Sequence, residues 1–295
     1  MSAPSRVLRA AGRHALVDGI PFPLPVYCKD SPALFAVFSI NPDKAKALLP
    51  GNELHPVRLW NKGLLVVSVM DYRNTNIGKY IEFSVAIACS MGKNPAPRLL
   101  PGLFPRLFGT GQFVLELPVS SEISVKGGKG IWGMPKHQGS LDYQITEETV
   151  SSQYDLDGQL GIRITIPRPK KAWLPLSVGA SNYCAYRGMI WRSTLYFKAK
   201  AGLCLKPKTG AELRIGDHPR LQALKNLEIE PTPLFTAFIP EAQGMLDDHL
   251  EGWFYSSPEP ITERPEGFET VVNLGLDQDW PPAPTADGRT PLPLP

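Results

Sequence analysis

The chain has no long hydrophobic run. Its longest apolar stretch, residues 63–70, has the length of a strand and falls far short of the roughly 20 residues that a membrane-spanning helix needs, so no membrane partner is expected. It also lacks a run of either charge. The 31 Lys and Arg and 28 Asp and Glu are well mixed, for a net charge of +3, and no basic stripe with interleaved aromatics is present to track a phosphate backbone. A nucleic-acid partner is therefore not expected. Cysteine is scarce: Cys28, Cys89, Cys184 and Cys204 stand far apart with no CxxC pair, which fits neither a disulfide framework nor a zinc site. No metal or other cofactor is called for. No apolar leader with a small-residue cleavage site follows Met1, and the chain reads as cytoplasmic with reduced thiols.

Helical signals are also few. The best are residues 42–49, with Asn41 as N-cap and Pro50-Gly51 as stop, and residues 220–227, opened by Asp217-His218-Pro219. What recurs instead are short runs of β-branched and aromatic residues, at 34–40, 64–70, 81–89, 113–117, 140–145, 162–166 and 234–239. With 31 prolines and 26 glycines, this predicts a mainly β chain: a large, mostly antiparallel sheet system, closed or folded over, with a few helices as plugs. Residues 94–111 mix prolines and glycines with Leu and Phe and read as a long apolar loop that covers a pocket. Three regions are expected: an N-terminal extension at 1–33, one domain at 34–254, and a proline-rich tail at 255–295.

The string Gly128-Lys129-Gly130-Ile131-Trp132-Gly133 matches the dinucleotide fingerprint GxGxxG. That fingerprint needs a helix opening inside it to hold a pyrophosphate, and Pro135 and Gly139 argue against a helix here. No GxSxG elbow is present, and His14, His55, His137, His218 and His249 show no ligand spacing; His249, after Asp247-Asp248, is expected on a solvated C-terminal helix. Lysines remain. A lysine in a Gly/Pro turn is ordinarily a solvated surface residue, but Trp132, Met134 and Pro135 stand directly before Lys136 and can wall its amine from water. Desolvation favours the neutral, nucleophilic amine. A second element, Gly78-Lys79-Tyr80-Ile81-Glu82, places an acid at the start of the strongest strand pattern of the chain, where a plain exposed glutamate is the ordinary alternative.

Taken together, Gly128 to Lys136 and Gly78 to Glu82 resemble the signature elements of the acetoacetate decarboxylase family, the first being close to G-R-E-x-W-G-x-P-K. The resemblance covers roughly residues 34–254. It implies a large antiparallel sheet closed into a cone-like double β-barrel, assembly as a homo-oligomer, and a lysine that forms an imine with a keto acid. Acetoacetate decarboxylase is itself a standard example of a lysine activated by desolvation or a neighbouring cation. By this resemblance Lys136 is the Schiff-base residue and Glu82 the acid that handles protons or orients substrate, with Tyr80, Trp132, Met134 and His137 beside the substrate. The chain departs from the family at three places. His137 stands where a second lysine is expected, Ser31 and Val67 fall where an arginine and a pocket glutamate are expected, and Gly130 replaces the signature's acid.

Three functions remain open at this level. One is decarboxylation of a β-keto acid through an imine and enamine, on a larger and more hydrophobic substrate than acetoacetate. Another is aldol condensation with dehydration on a pyruvate-like substrate. The third is a non-catalytic barrel that binds a small apolar or carbonyl ligand.

Overall fold

A computed structural model describes residue 5 and residues 12–207, 210–247, 249–254 and 256. Apart from Ser256, the tail expected from residue 255 onward lies outside the described residues. Seven strands build the centre: β1 (Val26–Ile40), β2 (Gly63–Tyr72), β3 (Tyr80–Met91), β4 (Gly111–Val119), β5 (Leu174–Tyr186), β6 (Met189–Leu205) and β7 (Phe235–Leu246). Each pairs with the next in chain order, and β7 pairs back onto β1, which closes a barrel. Strict up-and-down alternation cannot close around an odd number of strands, so one neighbouring pair must run parallel. That pair is β4 and β5, joined through Gln112↔Asn182 and Phe113↔Tyr183. Parallel neighbours need a long connection, and the chain uses it to carry the functional segment and most of a second sheet.

That second sheet has five strands, Ser140–Leu141, Gln144–Ile145, Thr149–Leu156, Gln159–Pro167 and Glu212–Ile215. Its apolar face, with Tyr154, Ile162, Ile164 and Ile166, packs on the outward face of the barrel, where Leu34, Phe38, Val67, Val69, Phe83 and Val85 are buried. Strands β1 to β3 therefore have one face toward this sheet and the other toward the lumen. Such strands read as continuous apolar runs in sequence, which is why these were the most legible.

Four short helices accompany the two sheets: α1 (Pro42–Ala47), α2 (Leu100–Leu103), α3 (Glu122–Trp132) and α4 (Gln222–Lys225), the last preceded by a 3-10 turn at Pro219–Leu221. Asn41 caps α1 by accepting from the N–H groups of Asp43 and Lys44 at 3.0 and 3.2 Å. His218 accepts from the N–H of Arg220 at the start of the 3-10 turn. The strand β7 ends at Leu246, and His249 stands outside any helix, its N–H donating to Asp247, so the expected helix around His249 is absent from the described residues.

Three tight hairpins carry a signal that the strand and helix patterns do not include. Asp18-Gly19, Asp157-Gly158 and Arg187-Gly188 each have two successive positive φ angles, the first two as Asp-Gly pairs. Two-residue turns with both angles positive match the right-handed twist of paired strands. The last joins β5 to β6, and the first forms a hairpin, Arg13–Val17 with Ile20–Leu24, that packs on α3.

Candidate active site

The glycine string that resembles a phosphate loop is the C-terminal part of α3. Pro135 does not prevent the helix, because Gly133 has already ended it in the left-handed conformation, with φ of 62°. The glycines lie far from the helix N-terminus, the only end that could hold a phosphate. Their use is steric. A Cβ on Gly127 would fall 2.3 Å from the Phe22 ring, one on Gly130 would fall 2.6 Å from Val17, and one on Gly128 would fall 2.4 Å from Cδ of Lys136. Glycine costs a helix interior about 1 kcal/mol per residue relative to alanine. Here that cost allows the N-terminal hairpin onto one side of α3 and the lysine side chain across another.

Lys136 opens the short strand Lys136–Gln138, which runs parallel to β4 with Leu117↔Lys136 and Pro118↔His137 in register. Where β3 pairs with β4 the register slips by one: Ala86 opposes Val114 but Val85 opposes Glu116. This bulge reverses the inward and outward order along β4. Gln112, Val114 and Leu117 line the lumen, while Glu116 is turned out and takes the guanidinium of Arg220 at 2.9 Å. Lys136, in register with inward Leu117, projects inward; its neighbour His137 is on the side of Glu116, 3.7 Å from it.

The amine of Lys136 is nearly closed to solvent, with the residue 5% exposed. Its Nζ lies 2.6 Å from Oε2 of Glu82 and donates to Oγ of Ser124 at 2.9 Å. The Tyr80 ring centroid is 5.4 Å from the same nitrogen, and Tyr80 stacks on Tyr72 with centroids 4.5 Å apart. The Tyr72 hydroxyl reaches the other oxygen of Glu82 at 3.4 Å. Burial, then the negative charge of Glu82, holds both phenols well above their usual pKa, so they stay neutral donors. Burial also pushes the thiol of Cys28, beside this cluster, up to about 11, which leaves it protonated.

Two cavities meet at Glu82. One, of about 460 Å³ including space open to solvent, is lined by Lys136, Tyr80, Tyr72, Cys28, Met134 and the half-exposed Tyr27, among others. The other, of about 660 Å³ counted in the same way, occupies the barrel lumen and shares Tyr72, Glu82, Met134, Asn182 and Leu195 with the first. Among the described residues Lys136 is the only cation lining either cavity.

Of the residues singled out from sequence, Lys136, Glu82, Tyr80 and Met134 come together at these cavities. Trp132 and His137 do not line them. Trp132, the last residue of α3, is buried, and its indole N–H donates to the Asp247 carbonyl at 3.0 Å. His137 faces Glu116 and Arg220, with both its ring nitrogens buried. Burial, then the nearby Arg220 charge, lowers its pKa to about 4, so it is neutral and cannot replace a cationic neighbour of the amine. Val67 and Ser31 are fully buried and line neither cavity; Val67 packs toward the second sheet, and the Ser31 hydroxyl donates to the Lys29 carbonyl. None of residues 94–111, the loop expected to cover a pocket, lines either of these two cavities. Ser124 and Tyr72 join the site without having been singled out. Ser124 and Gly128 are four apart on one face of α3, a relation visible only once that segment is taken as a helix.

A sequence profile of the acetoacetate decarboxylase (ADC) family matches residues 9–178, more than half of the chain. The chain belongs to the acetoacetate decarboxylase family. The match begins ahead of residue 34, and it takes in the N-terminal hairpin as well as α3 and Lys136. Solved structures agree on the fold. An acetoacetate decarboxylase is 17% identical, with a TM-score of 0.55 over 78% of this chain and 89% of its own. The acetoacetate decarboxylase of Legionella pneumophila is 14% identical, with a TM-score of 0.54 over 75% and 84%. The enduracididine biosynthesis enzyme MppR, with HEPES buffer bound, is 12% identical, with a TM-score of 0.56 over 79% and 88%. No curated protein sequence matches the chain. Membership of the acetoacetate decarboxylase family points to an enzyme. Among the described residues of this member, no helix is long and apolar enough to cross a membrane.

Proposed function

We propose that this chain is a Schiff-base-forming lyase that decarboxylates a β-keto acid, with Lys136 as nucleophile and Glu82 as its proton acceptor. The observation that carries the reading is the buried contact of 2.6 Å between the Lys136 amine and the Glu82 carboxylate inside a largely apolar cavity. Imine formation needs a neutral amine, a ketone within reach and a place for the protons. Glu82 takes a proton from the ammonium, and the free amine adds to the ketone carbon. Loss of water from the carbinolamine gives a protonated imine. The bond to the carboxylate then breaks, its electron pair moves into the imine to form an enamine, and CO2 leaves. Protonation at carbon and hydrolysis return the ketone and free Lys136. The neutral phenols of Tyr72 and Tyr80 and the hydroxyl of Ser124 are the donors beside these steps.

Decarboxylation is favoured over pyruvate aldol chemistry by the charge inventory of the site. A pyruvate-like substrate keeps its carboxylate to the end, and a buried charge without a partner is costly. Lys136 is the only cation lining the cavities among the described residues, and its charge, kept on the protonated imine, is discharged in the enamine, where a pyruvate-derived carboxylate would still need a partner. Loss of CO2 removes the buried negative charge instead of retaining it. Borohydride reduction in the presence of β-keto acids, followed by intact mass, tests the reading together with CO2 release. A covalent adduct that is absent in Lys136→Met, with CO2 release lost in the same variant, is the expected result. No adduct with any keto acid would overturn it in favour of a non-catalytic ligand-binding barrel. Homo-oligomeric assembly is part of this reading, and sedimentation of the full chain checks it.

A further inference from the structure

The barrel lumen beyond Glu82 has no part in the chemistry described above, yet it is the larger of the two cavities. Its walls come from six barrel strands, with Phe35, Val114, Leu195 and Phe197 among the lining residues. Among the described residues its only carboxylate is Glu82, at the end shared with the lysine. Polar groups are few and uncharged: the hydroxyls of Ser68 and Ser84, and an amide pair in which Nε2 of Gln112 donates to Oδ1 of Asn182 at 2.8 Å. That bond uses one N–H of Gln112 and the carbonyl of Asn182, and leaves the Gln112 carbonyl and the Asn182 amide N–H groups for a ligand. Gln112 stands five residues along β4 from Leu117, the register partner of Lys136. At about 3.3 Å per residue that is on the order of 16 Å of strand.

We propose that this lumen is a tail subsite, and that the substrate is a β-keto acid with an extended, uncharged tail rather than acetoacetate. The inference rests on the imine reading for the head of the substrate. With the ketone at Lys136, the tail runs into the lumen toward Gln112 and Asn182. The carboxylate lies in the smaller cavity beside Tyr80, Cys28 and the half-exposed Tyr27, from which CO2 can leave. Acetoacetate has a single methyl group beyond its ketone and would leave the apolar walls of the lumen uncovered. Each further methylene buried there raises kcat/KM by about fourfold until the lumen is filled. A charged tail is rejected, because the described lumen offers no counter-ion. An oxygen function near the tail end is accepted by the free groups of Gln112 and Asn182, which makes these two residues specificity determinants.

The test uses straight-chain β-keto acids from β-ketobutanoate to β-ketodecanoate on the full chain, read by CO2 release, with a tail bearing a terminal carboxylate as the charged control. Steady-state kcat/KM is expected to climb with length, the charged tail is expected to fail, and Ala180→Phe, which narrows the lumen, is expected to cut the ratio of long-chain to short-chain kcat/KM at least tenfold. A second measurement is independent of the chemistry: calorimetric binding of the unreactive 3-hydroxy acids of the same chain lengths to wild type and to Ala180→Phe. Affinity that climbs with length in wild type and is flat in Ala180→Phe supports the subsite even if no keto acid gives a borohydride adduct, an outcome that sinks only the imine reading. Flat affinity in wild type, or β-ketobutanoate as the best substrate, overturns the subsite and leaves the lysine chemistry standing.

Discussion

Replacement of Gly128 by alanine should separate stability from activity in an unusual way. At Gly127 and Gly130 a new Cβ meets the packed side chains of Phe22 and Val17. At Gly128 it would lie 2.4 Å from Cδ and 2.8 Å from Cε of Lys136, the flexible stem of the nucleophile. The stem can move aside, so the fold has a cheap escape, and alanine in a helix interior gains about 1 kcal/mol over glycine. Moving the stem withdraws Nζ from Glu82 at 2.6 Å and from Ser124 at 2.9 Å. A misplacement of about 1 Å at reacting atoms costs on the order of a hundredfold in rate. Loosening the buried Lys136–Glu82 contact costs stability that offsets the helix-propensity gain, so Gly128→Ala is expected to hold its thermal midpoint close to the wild-type value while losing about a hundredfold in CO2 release and in the rate of borohydride-trapped adduct formation. Gly127→Ala and Gly130→Ala serve as controls, since their Cβ atoms meet Phe22 and Val17 of the N-terminal hairpin and should lower stability instead. If Gly128→Ala turns over at the wild-type rate, the steric role of this glycine and the assignment of Lys136 both lose their support.

His137 is neutral in the fold, with its pKa lowered to about 4, whereas in the unfolded chain it has an ordinary value near 6.5. As pH falls below about 6.5 the unfolded chain takes the proton first, so stability present at neutral pH is lost toward pH 4, by about 3 kcal/mol in total. His137→Leu should flatten that acid limb in denaturation curves, and an unchanged limb would refute the assignment; Glu116, whose pKa burial raises, acts in the opposite direction in both proteins. Arg220→Met leaves the buried Glu116 carboxylate unpaired and should cost about 2 kcal/mol in urea denaturation, below the value for a fully buried pair because Arg220 is partly exposed. Adding Glu116→Gln to that variant should restore at least half of the loss; no recovery would show that the arginine acts through packing alone.

Much of the fold was legible because of where its strands sit. β1, β2 and β3 are covered on one face by the second sheet and on the other by the lumen, and two-sided burial writes itself as apolar runs. β5 and β6 were not legible, although they are among the longest strands. Their residues are largely half-exposed or exposed, and their alternation is diluted by Ser, Asn, Lys and Arg. The positive-φ pair Arg187-Gly188 between them was the available signal, as Asp18-Gly19 and Asp157-Gly158 were for two other hairpins. The helix α3 reads as a loop for a local reason. Three glycines depress helix propensity, and nothing in their own segment reveals that Phe22, Val17 and Lys136 fill the space they leave.

Lys136 and Glu82 could be picked out from sequence because their immediate neighbours are distinctive: an apolar Trp-Gly-Met-Pro lead into one, and a strand start with a preceding glycine turn for the other. Chain order alone determined that much, together with the mainly β class and the absence of long apolar or charged runs. Which way each side chain points was decided only by the tertiary structure. A bulge of one residue on β4 turns Glu116 out and Leu117 in, and through the parallel pairing it turns Lys136 in and His137 out. Strand faces alternate with every residue, so a single extra residue in one strand reassigns the lysine and the histidine to opposite sides of a wall. That register depends on pairing between segments far apart in the chain, and no local pattern around residue 136 records it.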